Sequence, residues 1–141
     1  MVDDFEKEIN LPNIIPIFPL EGVVMFPDTY LPLNIFETRY LKMVDNAISN
    51  ENRLIGMIQT KNLNESDDEH VFYKVGCAGK IIKFEETDDN RYLITLKGLS
   101  RFNLISEKTN EKDYKEANIS WENFSKDLNI NAKSSDFSTL K

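Results

Sequence analysis

Apolar and polar residues alternate along most of the chain, which is typical of half-buried β-strands. The alternation predicts strands at 14–18, 30–36, 53–59, 72–85, 91–97 and 114–121, with another around Phe102 and Leu104. Short runs of polar residues separate these segments, as expected for turns. Many short strands at this spacing favour a barrel or a sandwich.

Helical spacing occurs convincingly once, at residues 37–49. Its apolar positions recur every three or four residues and form one stripe made of Tyr40, Leu41, Val44, Ala47 and Ile48. Glu37 falls in the predicted first turn, where the helix dipole favours an acidic side chain. The pattern therefore predicts one amphipathic helix, which packs on the strands.

Prolines and glycines mark irregular backbone. All five prolines lie between residues 9 and 32, which predicts an edge or bulged opening strand. Gly76 and Gly79 interrupt one predicted strand and indicate a bulge or a close backbone approach. Gly98 is expected to end a strand, with a positive φ or a tight turn. Asp88, Asp89 and Asn90 predict a hairpin turn.

The 141 residues suffice for one domain with its own core. We expect a flexible acidic arm at 1–8, a β domain at 9–121 and a polar tail at 122–141. The tail is too short for several helices, although one helix can begin near Ser135 or Asp136. The single Cys77 allows no internal disulfide.

The net charge of the chain and its distribution disfavour some classes of binding partner. The net charge is −7, and residues 1–70 carry 5 basic and 13 acidic residues while residues 71–141 carry 12 and 11. Proteins that track phosphates are usually basic, so sustained contact with nucleic acid or an anionic membrane is disfavoured. The sequence shows no apolar run long enough to span a membrane and no signal peptide. Together with one cysteine, this favours the cytoplasm.

The sequence lacks the residue patterns that are typical of catalytic, phosphate-binding and metal sites. His70 lies in an acidic segment that is typical of a solvated loop, and Cys77 is expected to be a small buried residue. The run from Gly76 to Lys80 is too short for a phosphate-binding loop and lacks its Ser or Thr. Asp67, Asp68 and Glu69 lack the calcium-loop spacing. We therefore expect no catalytic residues, no cofactor and no metal.

Several blocks carry a family resemblance, namely IPIFPLEGVVMFP at 15–27, LPLNIFETRYLKMV at 31–44, RLIGMI at 53–58, VGCAGKII at 75–82 and RYLITLKGLSRF at 91–102. In order and spacing the chain resembles the N-terminal domain of the Lon ATP-dependent proteases, especially stand-alone bacterial relatives. The resemblance covers residues 9–121. It implies a mainly β (α+β) PUA-like pseudo-barrel of about six strands with one packed helix. The family's C-terminal helical half is expected to be truncated or absent here.

The resemblance implies a non-enzymatic module that recognises unfolded or degron-bearing polypeptides; the ATPase and Ser-Lys protease activities of full Lon are not carried over. The expected contacts are apolar loop residues, which can alternatively pack on the core: Val24, Met25, Phe26 and Tyr30. One alternative is an oligomerisation or adaptor module, including a weak homo-oligomer. Another is an RNA-binding PUA-like domain that uses a basic face of Lys80, Lys83, Arg91, Lys97 and Arg101.

Overall fold

Strands dominate the computed structural model, which describes residues 11–61 and 71–128. The elements are β1 (Ile14–Leu20), β2 (Tyr30–Ile35), α1 (Thr38–Ser49), β3 (Leu54–Lys61), β4 (Val71–Phe72), β5 (Val75–Glu86), β6 (Tyr92–Thr109) and β7 (Lys115–Ser120). Six of these strands have at least six residues, which confirms the predicted mainly β fold with one packed helix. The predicted strand 72–85 is two strands, because the chain leaves the ladder at Tyr73 and Lys74.

Five strands close into a barrel. They follow the order β1-β7-β6-β5-β3, and a parallel pairing of β1 with β3 joins the two ends. Parallel neighbours need a long crossover, and here β2 and α1 supply it. β2 pairs with β6 outside this ring, and β4 pairs with β3.

β6 is longer than expected because two partners share one of its edges in succession. β2 pairs with Tyr92–Lys97, and β7 pairs with Asn103–Thr109. The prediction that Gly98 ends a strand is wrong, since pairing with β5 continues on both sides of it. Its predicted positive φ is wrong as well, because Gly22 is the glycine with positive φ in the described ranges.

Two apolar clusters form the core, and β3 contributes to both through its alternation. Ile55 and Met57 pack in a cluster with the buried face of α1. Leu54 and Ile58 belong to a second cluster with side chains of β1, β6 and β7. Because both faces of β3 are covered, five consecutive residues from Leu54 are buried.

The irregularity predicted at Gly79 is confirmed, although the extra residue of this bulge lies on the partner strand β6 and not on β5. The register with β6 shifts between Ala78 and Gly79, and Leu99 is the extra residue on β6. Gly76 has no room for a side chain, since a Cβ there lies 2.6 Å from Cζ of Phe102. The bulge and the close packing together bend the two long strands around the core.

The chain after β7 stays on the barrel. Glu122–Phe124 form a turn of 3₁₀-helix, and residues 125–128 are helical. The indole N–H of Trp121 donates to the carbonyl oxygen of Pro12 at 2.9 Å. The predicted acidic arm, the loop that contains His70 and the predicted helix near Ser135 lie outside the described residues.

Candidate functional site

The loop between β1 and β2, residues 21–29, lies mostly at the surface and buries one residue, Met25. Val24 and Phe26 are 55% and 58% exposed, whereas Met25 between them is 6% exposed. Met25 enters the cluster that packs on α1, with its Cε 3.1 Å from the position of a Cβ on Gly79. Met25, which the sequence suggests as a contact for polypeptide, is therefore buried in the core and offers little surface to a partner.

Hydrogen bonds to the barrel fix this loop. The amide of Asp28 donates to the carbonyl of Gly98, and the amide of Gly98 donates to the carbonyl of Thr29, both at 2.8 Å. The hydroxyl of Thr29 donates to the carbonyl of Phe26 at 2.7 Å. The side-chain amide of Gln59 donates to the carbonyl of Val23 at 3.3 Å. The backbone that carries the exposed apolar side chains is thus held against the barrel.

A small cleft of about 100 Å³ lies between this loop and the strands β3 and β5. Val24 and Phe26 line it on the loop side, and Val75 lines it from β5. Val75 is 43% exposed, and sequence analysis missed it because it begins an ordinary strand. Tyr30 does not line this cleft; it begins β2 and is 61% exposed, with its ring centroid 5.9 Å from Nζ of Lys97.

Arg101 borders the same cleft, and a buried carboxylate holds it there. Nε of Arg101 donates to Oδ2 of Asp127 at 2.9 Å, and Nη2 donates to Oδ1 at 3.0 Å. The ring of Phe124 covers the guanidinium at 4.7 Å. Hydrogen bonding to Arg101 lowers the pKa of Asp127 below its ordinary value. Nothing in the local sequence marks this pair, which is 26 residues apart.

Cys77 also lines the cleft, with a 3% exposed side chain. Burial, and then the negative charge of Asp127, raises the pKa of the thiol to about 12. A thiol with that pKa stays protonated at neutral pH, so it is a weak nucleophile. The prediction that Cys77 is a small buried residue is confirmed.

The proposed basic face is largely paired with carboxylates. Arg91 lies 2.9 Å from Asp89, and Lys97 lies 3.6 Å from Asp28. Arg101 is held by Asp127, as described above. Lys80 and Lys83 are exposed. Three of the five cations thus form ion pairs with carboxylates of the same chain. This pairing weakens the case for a phosphate-binding surface.

Residues 11–61 and 71–128 hold no group of three or more His, Cys, Asp or Glu side chains placed to bind a metal. The helices of this part of the chain are all too short or too polar to cross a membrane.

Comparison with known proteins gives the family. Residues 14–140 match the model of the ATP-dependent protease La (LON) substrate-binding domain. The chain belongs to this family. The Lon protease of Syntrophus aciditrophicus is 30% identical over an aligned length of 149. The alignment covers 99% of this chain and 18% of that protein. The Lon protease of Dictyoglomus thermophilum is 31% identical over 104 residues, covering 71% of this chain and 13% of that protein.

Solved structures of Lon N-terminal domains share the fold. A Lon N-terminal domain protein from Xanthomonas campestris has a TM-score of 0.63 at 23% identity, covering 77% of this chain and 59% of that chain. The N-terminal domain of the Mycobacterium avium complex Lon protease has a TM-score of 0.60 at 12% identity. This match covers 77% of this chain and 54% of that chain. The chain spans only 18% and 13% of the length of the two full Lon proteases named above.

Proposed function

We propose that this domain is a non-enzymatic recognition module that binds unfolded or degron-bearing polypeptides through the β1–β2 loop. The family is a substrate-binding domain, and substrates of a Lon protease are proteins. We propose the cytoplasm as its setting, in keeping with the free thiol of Cys77. The carrying observation is the exposure of Val24 and Phe26 on a loop that the barrel holds fixed.

Apolar side chains on an anchored loop backbone suit this role for an energetic reason. Binding a polypeptide requires ordering it, and a rigid partner surface avoids a second ordering cost. Val24, Phe26 and Val75 offer apolar area beside a cleft of about 100 Å³. A surface of this size supports affinities of roughly micromolar strength. Because apolar burial drives the contact, binding to this loop should persist at high salt.

The test is a fluorescence-anisotropy titration of an unfolded, uncharged peptide rich in Leu and Phe. The variants are Val24→Ser and Phe26→Ser, because both side chains are exposed and their loss should leave the fold intact. Ile105→Ser is the matched control, since Ile105 is 66% exposed and lies on β6 beyond the cleft. We expect the loop variants to weaken binding several-fold and the control to leave it unchanged.

Equal binding by all three variants would contradict the proposed site. Light scattering on the same samples distinguishes peptide binding from the alternative function, that of an assembly module. A stable oligomer that binds no peptide, and that dissociates in Phe26→Ser, would assign the loop to self-association instead.

A further inference from the structure

A second surface lies on β2, the first part of β6 and the end of β5. One side of this three-stranded sheet packs on the core through residues such as Leu33, Ile94 and Ile81. The opposite side carries cross-strand rows, since residues paired across strands point the same way. Tyr30, Lys97 and Lys80 form one row. Pro32, Thr95 and Lys83 form the next.

This side of the sheet is accessible and concave. All six of these residues are exposed or half-buried. An open groove of about 670 Å³ runs along it, lined by residues that include Pro32, Thr95, Lys83 and Leu93. Leu93 is 38% exposed. We call this surface, defined by Tyr30, Pro32, Leu93, Lys80, Lys83 and Lys97, the open face. Its groove has room for several side chains of a partner.

The charge of the open face is opposite to that of the whole chain. Lys80 and Lys97 stand directly across from each other on neighbouring strands, an arrangement that is unfavourable for like charges. In the described ranges no carboxylate lies within 4.0 Å of the ammonium groups of Lys80 and Lys83, and Lys97 has one at 3.6 Å, from Asp28. Glu85 is the acidic residue among those that line the groove. On a chain of net charge −7, this face is locally positive and suits a partner with carboxylates.

Pro32 disfavours one way of binding such a partner, the addition of a strand beside β2. β2 pairs with β6 along one edge. A peptide that extended the sheet would need ladder hydrogen bonds along the other edge of β2, and proline at its centre has no N–H to donate. A ligand therefore gains more from side-chain contacts across the open face than from strand addition at its edge.

We propose that the open face binds acidic polypeptide segments in an extended conformation. Carboxylates of the segment pair with Lys80 and Lys83, and a neighbouring apolar side chain enters the groove beside Leu93. This site uses none of the residues of the β1–β2 loop, so it stands or falls separately from the function proposed above. It adds a preference for acidic sequence to a module that otherwise selects apolar side chains.

The experiment measures the affinity of a fluorescein-labelled peptide in which Glu and Leu alternate, and of a matched peptide with Lys in place of Glu. The test variant is Lys80→Glu/Lys83→Glu. The control variant is Lys42→Glu/Lys112→Glu, which changes the net charge equally at exposed positions on α1 and in the β6–β7 turn. We expect about tenfold weaker binding of the acidic peptide by the test variant, and little change for the control.

Four further readouts make the result decisive. Binding of the acidic peptide should weaken as salt is raised, and Leu93→Ser should weaken it without altering the salt dependence. The milder Lys80→Gln/Lys83→Gln variant should give an intermediate loss. The uncharged peptide used for the β1–β2 loop should bind the test variant normally, which separates failure of this site from failure of the loop.

The proposal is overturned if both charge-reversed variants lose affinity equally, because the effect is then one of overall charge. It is also overturned if the Lys-containing peptide binds as well as the acidic one. Displacement of the acidic peptide by a single-stranded oligouridylate at lower concentration than unlabelled acidic peptide would assign the open face to nucleic acid instead.

Discussion

The carboxylate of Asp127 takes the place of a strand beside Arg101. β2 pairs with β6 as far as Lys97, and β7 begins to pair at Asn103, so neither lies next to the backbone of Arg101. Oδ2 of Asp127 accepts the amide N–H of Arg101 at 3.0 Å as well as its guanidinium. One side chain thus satisfies a backbone donor that the sheet leaves unpaired and anchors the chain that follows β7.

Asp127→Ala should destabilise the domain by about 1–3 kcal/mol, because it leaves the amide of Arg101 without a partner in the protein. Asp127→Asn should cost less, since an amide oxygen still accepts the backbone hydrogen bond. Chemical denaturation with urea measures both. Asp88→Ala, at an exposed hairpin position, is the control and should be near neutral. Equal stability of Asp127→Ala and the control would contradict this role.

The stability provided by Asp127 should depend on pH. Its pKa in the folded protein is lowered, first by the hydrogen bond from Arg101. A lowered pKa means that the stabilisation is fully present above the ordinary Asp value of about 3.9 and is lost as the pH falls through the folded value. The difference in free energy of unfolding between wild type and Asp127→Asn should therefore be constant near neutral pH and shrink below about pH 4. A difference that grew on acidification would refute the assignment.

Gly98→Ala should destabilise the domain by about 1–3 kcal/mol, as overpacking does. A Cβ at Gly98 lies 2.1 Å from the carbonyl oxygen of Phe26, which is backbone and cannot rotate away. Because the clash is with Cβ itself, Gly98→Val should cost at least as much as Gly98→Ala. Thermal unfolding followed by circular dichroism measures both. An unchanged melting temperature would show that the β1–β2 loop moves aside freely.

Neighbouring substitutions in the β1–β2 loop should differ sharply in their effect on stability. Met25→Ala should cost about 2–4 kcal/mol because it leaves a cavity in the core. Val24→Ala should change stability by no more than about 0.5 kcal/mol because Val24 is exposed. Urea unfolding of the two variants makes the comparison. Similar losses in both would mean that Met25 is not the one residue that anchors this loop in the core.

The sequence by itself determined the elements and the family. Period-two alternation placed most of the strands, and helical spacing placed α1 to within one residue of Thr38–Ser49. Gly79 correctly indicated irregular pairing between β5 and β6, although the extra residue, Leu99, lies on β6. These features are local, because strand and helix periods follow from backbone geometry and from which face is buried. The resemblance to Lon N-terminal domains then supplied the PUA-like pseudo-barrel, which local patterns alone left undecided between a barrel and a sandwich.

Tertiary structure decided which apolar residues are surface and why Gly98 is a glycine. Val24, Met25 and Phe26 are alike in sequence, and only the position of the loop over Gly79 and Gly98 sends Met25 into the core. Gly98 resembles a strand end, yet the requirement comes from the backbone of Phe26, more than seventy residues earlier. Arg101 and Asp127 likewise meet because β2 and β7 leave a gap on β6. Contacts between distant segments depend on how the barrel closes, and no local period encodes that closure.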